Sequence, residues 1–294
     1  MIKVEHLSKD YGNHKGIFDL NFEVKEGEVF GFLGPNGAGK TTTIRHLLGL
    51  TNADKGSASI MGFDSREASH HYKNDLGYCP GEIALYDEMT GNEFLDFLDA
   101  LRAKKNKELR VELIHYFELD VSRKIRKMSK GMKQKLALIA SVMHDPRVLI
   151  LDEPSSGLDP LMQKKFIEYI LKLKAQGKTI LMSSHQFEEV ERTCDRIAII
   201  KDGRLVNIEE TQMLKAKAIK QYIISLKDEA SIKLLIKEGF DLKRINSHQV
   251  VLSLHNDLDK LLKILSKCQV ESLDSVSQSL EDIFIGYYGK EEEA

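Results

Sequence analysis

Two rhythms of apolar residues run along the chain. In the first part, short runs that are apolar on both faces, "EVFGFL" (28–33), "RVLILDE" (147–153) and "KTILMSSH" (178–185), alternate with longer stretches spaced for helices, "GKTTTIRHLLGL" (39–50), 160–175 and "QFEEVERTC" (186–194). A strand with no polar face must be covered on both sides. The alternation therefore predicts an α/β domain with a mainly parallel sheet between helical layers. "KDGR" (201–204) adds an Asp-Gly hairpin signal between "RIAII" and "LVNIE".

Residues 81 to about 145 follow the helical rhythm only. "TGNEFLDFLDALR" opens with a capping box, Thr90 and Glu93, ahead of Phe94, Phe97, Leu98 and Leu101 at helical spacing. Further helical patterns run over 106–117 and 130–143, so a helical insert is expected inside the α/β domain. The composition shifts at "QMLKAKAIKQ" (212–221), expected to be a helical linker between a domain over 1–215 and a second over 220–294. The second domain reads strand (222–226), helix (230–238), strand, strand ("QVVLSL"), helix (257–267), strand, then a last helix over "SLEDIFIGYY" (279–288), before a frayed acidic tail, "KEEEA". The β-α-β-β-α-β core of that order predicts a small α+β, ferredoxin-like domain. The amphipathic stretch "DLDKLLKILSK" (257–267) is expected to face its core.

Bulk properties narrow the function. The 294 residues allow two domains with full cores. A formal charge of −2 gives no basic excess for nucleic acid. No apolar run approaches the roughly 20 residues that span a bilayer, and the N-terminus shows no apolar signal core. Cys79, Cys194 and Cys268 are widely spaced and read as free thiols of a reducing cytosol.

The chemistry centres on "GPNGAGKTT", Gly34, Pro35, Asn36, Gly37, Ala38, Gly39, Lys40, Thr41 and Thr42. Glycines let successive N–H groups turn inward on phosphate oxygens, and the helix that follows adds its positive end. Lys40 is placed to reach β- and γ-phosphates and Thr41 to ligate Mg²⁺. Asp152 ends an apolar strand, where a parallel sheet opens onto ligands, and is the candidate second Mg²⁺ residue. Glu153 follows it as the candidate group that polarises water. His185 ends another strand of the same sheet, within reach of a γ-phosphate or simply structural. Tyr11, in "KDYGN", is either a turn residue or a stacking face for adenine. His70 and His71 lack a third ligand at clear spacing and read as a surface loop.

"MSKGMKQKLAL" (128–138) is a second candidate anion site. Ser129 is placed to cap a helix, Gly131 permits close approach, and Lys130 adds charge. Seven of the thirteen residues from Arg123 to Lys135 are Lys or Arg, so a solvated basic face explains the spacing equally well.

In order and spacing, "GPNGAGKTT", "MSKGMKQ", "VLILDEP", "SSGLDP" and "SSH" resemble the nucleotide-binding subunit of an ATP-binding cassette (ABC) transporter, over roughly residues 1–215. The resemblance implies a P-loop NTPase fold with N-terminal antiparallel strands, and ATP and Mg²⁺ as ligands. It implies a head-to-tail dimer, with Ser129, Lys130 and Gly131 of one copy closing on the γ-phosphate held by the other, and Asp159 at the interface. It makes Glu153 the general base and His185 the γ-phosphate sensor. The chain would then sit in the cytoplasm, peripheral on the inner face of the cell membrane through an integral permease subunit. Two departures from the family pattern matter. The signature L-S-G-G-Q reads Met128-Ser129-Lys130-Gly131-Met132, with Lys130 at its first glycine, and Gly81 stands where a glutamine usually touches Mg²⁺ and senses the permease. Glu82 and the local backbone are the expected substitutes in that coupling loop. "SLEDIFIGYY" resembles the end of ATPases serving drug or bacteriocin exporters. Its domain is expected to regulate or brace the dimer, or to pack without a ligand. The alternatives are a soluble ABC-type ATPase acting on ribosomes, DNA or cluster assembly, and a non-catalytic module, against which Glu153 and His185 argue.

Overall fold

The computed structural model describes residues 1–217, 220–254 and 258–277. The chain divides into two compact units, Met1–Thr211 and Gln212–Ala294, so the division falls at the start of the expected linker.

In the first unit the elements are β1 (Ile2–Asp10), β2 (Gly16–Val24), β3 (Val29–Leu33), α1 (Lys40–Leu47), β4 (Lys55–Ile60), β5 (Phe63–Asp64) and β6 (Leu76–Cys79). There follow α2 (Gly91–Leu101), α3 (Lys107–Tyr116), α4 (Lys130–Val142), β7 (Val148–Asp152) and α5 (Pro160–Ala175). The unit closes with β8 (Thr179–Ser184), α6 (Phe187–Thr193), β9 (Arg196–Lys201) and β10 (Arg204–Glu210). The main sheet has the order β10-β9-β3-β8-β7-β6. β9, β3, β8, β7 and β6 run parallel. Every residue of β3, β7 and β8 is buried, as strands covered on both faces require. β10 is the antiparallel exception, paired Lys201 to Arg204 across a turn in which Asp202 and Gly203 both have positive φ. A second, antiparallel sheet, β2-β1-β4-β5, carries the N-terminal strands. Phe22 of β2 stacks on Phe30 and Phe32 of β3, with ring centroids 5.6 and 5.5 Å apart, and so joins the two sheets' cores.

The helical insert lies between β6 and β7. Its first helix starts on the expected capping box: the Glu93 N–H donates to Thr90 Oγ1 at 3.2 Å and the Thr90 N–H to Glu93 Oε2 at 2.7 Å. α4 buries Leu136, Ile139 and Ala140, with Met143 buried at its C-cap, and is capped by Ser129, whose Oγ accepts the Met132 N–H at 3.2 Å.

The second unit holds β11 (Lys220–Leu226), α8 (Glu229–Lys237), β12 (Leu242–Arg244), β13 (Gln249–Leu254), α9 (Leu258–Leu265) and β14 (Val270–Ser277), after α7 (Thr211–Lys217), which crosses the division. Its sheet runs β12-β13-β11-β14, all antiparallel, the order of a split β-α-β unit. Tyr222, Ile224, Val250 and Leu252 pack with Ile232 and Leu235 of α8 and Leu261, Ile264 and Leu265 of α9. The apolar face of "DLDKLLKILSK" is therefore core. The expected helix over "SLEDIFIGYY" and the tail "KEEEA" lie outside the described residues.

Candidate nucleotide site

Three strand ends of the main sheet meet at one edge. β3 leads into the glycine loop, β7 ends at Asp152, and β8 ends one residue before His185, with β8 between β3 and β7. The loop closes on Gly39, which precedes α1 with φ +108°. A Cβ there would stand 2.8 Å from Ile17 Cγ2, so both conformation and space exclude a side chain. Ala38 is buried; its N–H donates to Pro35 O at 3.2 Å and its carbonyl accepts from Gly203 at 3.0 Å, which pins the loop to the hairpin.

Lys40 points into this loop and is only 6% exposed. Its ammonium donates to Gly34 O at 2.6 Å and Pro35 O at 3.2 Å. It also stands 3.1 Å from Glu153 Oε1, an ionic contact, because that oxygen accepts no hydrogen bond. The other Glu153 oxygen meets His185 Nδ1 at 2.5 Å. Glu153 adopts φ +48°, a left-handed conformation that costs on the order of 1–3 kcal/mol for a residue with a side chain. Ser183 holds it there: the Glu153 N–H donates to Ser183 O at 3.1 Å and Ser183 Oγ at 3.0 Å. The same hydroxyl donates to Asp152 Oδ1, while Thr41 Oγ1 donates to Asp152 Oδ2 at 2.8 Å. A hydroxyl and a carboxylate, both hard oxygen donors, thus stand together where the glycine loop ends, a donor set that suits Mg²⁺.

A cavity of about 500 Å³ opens over this edge. Tyr11, Pro35, Asn36, Gly37, Gly39, Lys40, Thr41, Thr42 and Glu153 line it together with His14, Lys15, Gly16 and Asp202, four residues that sequence reasoning did not place at the site. Its size suits a nucleotide. Tyr11 stands at the rim, 56% exposed.

Other expected site residues lie apart from the cavity. Ser129 and Lys130 are exposed at the tip of α4. Lys130 crosses the following loop, its ammonium 3.4 Å from Ser156 Oγ, and a Cβ on Gly131 would approach Gly157 O to 2.8 Å. Gln134, one turn on and buried, donates to Pro154 O at 2.8 Å, so α4 is tied to the residue after Glu153. Asp159 caps α5, accepting the Met162 N–H at 3.0 Å. Gly81 lies against Asp152: a Cβ there would be 3.2 Å from Asp152 O and 3.4 Å from its carboxyl. Glu82 is exposed. His70 and His71 are exposed, with ring centroids 4.0 Å apart.

Sequence reasoning missed Ser183 and Glu189. Ser183 had a signal, the small polar pair "SS" ending an otherwise apolar strand. Glu189 sits among the acids of "QFEEVE", where periodicity marks no position as buried, yet it is 2% exposed. Burial pushes its carboxyl up to about 7, against hydrogen bonds from Ser184 and Ser155 that pull it down. A carboxyl raised on folding keeps its full contribution below the unfolded value, near 4.5, and loses it as pH rises to about 7. The loss is on the order of 3 kcal/mol. The stability difference between Glu189→Gln and the native chain is expected to shift in favour of the variant from pH 5 to pH 8. Urea unfolding of both proteins at the two pH values checks this; a difference independent of pH would contradict it.

Comparison with known proteins points the same way. Residues 17–156 match the ABC transporter family model. An uncharacterised ABC transporter ATP-binding protein of Methanocaldococcus jannaschii is 36% identical over 97% of this chain and 98% of its own length. The linearmycin resistance ATP-binding protein LnrL of Bacillus subtilis is 38% identical over 71% of this chain and 68% of its own. The solved structure of an ATP-binding subunit of an ABC transporter superposes with a TM-score of 0.67 at 32% identity, covering 73% of this chain and 92% of that one.

Proposed function

Because the chain belongs to the ABC transporter family, as an ATP-binding subunit and ATP hydrolase, we propose that it powers export through a separate membrane permease, dimerising around two ATP. The observation that carries the catalytic part is the meeting of Lys40, Thr41, Asp152, Glu153 and His185 at one sheet edge.

On this reading the phosphates lie in the curl of residues 34–42, and adenine stacks on Tyr11. Lys40 exchanges the Gly34 and Pro35 carbonyls for phosphate oxygens. Glu153 takes a proton from water as its oxygen bonds the γ-phosphorus and the bond from that phosphorus to the β–γ bridging oxygen breaks. His185 holds the Glu153 carboxylate and meets the γ-phosphate. Thr41 and Asp152 hold Mg²⁺, which supplies neutralising charge to the phosphates when bound.

The exposed tip of α4 supports the dimer. Ser129, Lys130 and Gly131 do not line their own chain's cavity and are proposed to present N–H groups, a hydroxyl and an ammonium to a second copy, with Asp159 at the interface. A groove of about 390 Å³ supports the permease. It is lined by Leu48, Leu50, Tyr78, Pro80, Leu85 and Phe94, among others, and adjoins Gly81 and Glu82. Leu50 is 68% exposed there. Among the described residues no helix is long and apolar enough to cross a membrane. On this reading the spanning part belongs to the partner, and the chain attaches to it at the cytoplasmic face. Drug or bacteriocin export is favoured by the likeness to a linearmycin resistance protein. Co-purification from detergent-solubilised membranes tests the partner. An integral subunit is expected to be retained by the native chain and lost in Leu50→Asp; recovery of no membrane protein with either would contradict the proposal.

A further inference from the structure

One buried acid joins the two segments that carry Glu153 and His185. Glu189 lies on α6, and its Oε2 accepts hydrogen bonds from Ser155 Oγ at 2.9 Å and from Ser184 Oγ at 2.8 Å. Ser155 stands two residues after Glu153, and Ser184 immediately precedes His185. The second carboxyl oxygen, Oε1, is buried and accepts no hydrogen bond.

Packing alone does not account for an acid here. An apolar side chain of similar size would fill the space without an unpartnered oxygen. Ser183 ties the two strand ends together at Asp152 and Glu153, and Glu189 adds a second tie beyond them, at Ser155 and Ser184. A cavity of about 290 Å³ lies beside it, lined by Ser155, Gln163, Gln186 and Glu189 among others. What the acid adds is one directional bond to each segment, converging on a single oxygen. Those segments carry two side chains that touch, His185 and Glu153. The charged and titratable groups around the acid come from every neighbouring element: Glu153 after β7, His185 after β8, Lys164 on α5, and Glu188, Arg192 and Cys194 on and beyond α6.

We propose that Glu189 is a positioning residue for ATP hydrolysis, holding the Glu153 carboxylate and the His185 ring in mutual register through Ser155 and Ser184. The proposal rests on the roles assigned above to Glu153 and His185. It makes the two segments one mechanical unit, so a displacement of the loop 155–159 reaches His185 without passing through the nucleotide. Burial raises the carboxyl to about 7, so an uncharged form is well populated at neutral pH, and an uncharged amide stands in for that form.

Steady-state hydrolysis of Mg²⁺-ATP by the full chain tests the proposal with three variants. In Glu189→Gln the amide oxygen accepts both serine bonds, and kcat is expected within about threefold of native. Glu189→Leu fills the site and accepts neither; kcat is expected to fall roughly tenfold or more, with KM for ATP within about twofold. The double variant Ser155→Ala/Ser184→Ala removes both donors, leaves the acid in place, and is expected to behave as Glu189→Leu. It carries the test should the leucine variant not fold. A native kcat in the leucine and double-serine variants overturns the positioning role, as does an equal loss in Gln and Leu. Glu153→Gln run in parallel separates the two levels. If it is inactive while Glu189→Leu is fully active, only the positioning role falls. If it is fully active, the roles of Glu153 and Glu189 fall together.

Discussion

Glu153→Gln is expected to lower kcat for ATP hydrolysis by about two to four orders of magnitude while leaving ATP affinity nearly unchanged. The variant keeps size and polarity but cannot accept a proton. Nothing else at the site takes over this role. Asp152 has one oxygen bonded to Ser183 and the other to Thr41, so it is oriented toward the metal position. His185 is bonded to Glu153 itself. The backbone around Glu153 indicates the same role. A left-handed conformation at a residue with a side chain persists only where neighbours enforce it, and here both oxygens of Ser183 do so. Steady-state turnover and calorimetric ATP titration of the purified variant check this. A kcat within a few-fold of native would remove Glu153 from the chemistry.

Lys40→Met is expected to weaken ATP binding by about 100-fold, which corresponds to roughly 3 kcal/mol and lies within the range for truncating one partner of a buried charge pair. Methionine retains most of the stem, so packing changes little. What disappears is the ammonium. It stands in the curl of the glycine loop, bonded to the Gly34 and Pro35 carbonyls and paired with Glu153, where phosphate oxygens would replace those partners. Glu153 then faces the phosphates without its neutralising cation, so turnover falls as well. Titration calorimetry with ATP measures the affinity, and thermal unfolding shows whether the variant stays folded. Native affinity in a folded variant would contradict the role.

Much of this site is written locally. Gly39, Lys40 and Thr41 act through their own turn and helix start, so spacing alone indicates their chemistry. Asp152 and His185 follow from one further step, because apolar runs on both faces place their strands inside a parallel sheet whose ends share an edge. The capping box of Thr90 and Glu93 and the Asp-Gly hairpin at 202–203 are also local, and both take the expected form.

Contacts between distant segments were not legible. Ser183 bonds back to Asp152 and Glu153 across 30 or so positions, and nothing in a strand's alternation says which hydroxyl turns toward which neighbour. Glu189 looks like any solvated acid on a short helix until α6 is packed against the loop after β7. Lys130 is a similar case. Its charge is plain in the sequence, but its path across Gly157 toward Ser156 depends on how α4 meets that loop. Gly81 has no side chain, and its close approach to Asp152, which places its loop beside the candidate metal position, is not visible in the sequence.

On the proposed function, one ATP is clasped between the glycine loop of one copy and the tip of α4 of another. Light scattering on Glu153→Gln with and without Mg²⁺-ATP decides this, together with a double variant that adds Ser129→Asp, whose carboxylate still caps α4 but repels a phosphate. A doubling of mass that requires ATP is expected in Glu153→Gln, and none in the double variant. A single-chain mass for Glu153→Gln at saturating ATP and every protein concentration, or an ATP-driven dimer indifferent to Ser129→Asp, would contradict it.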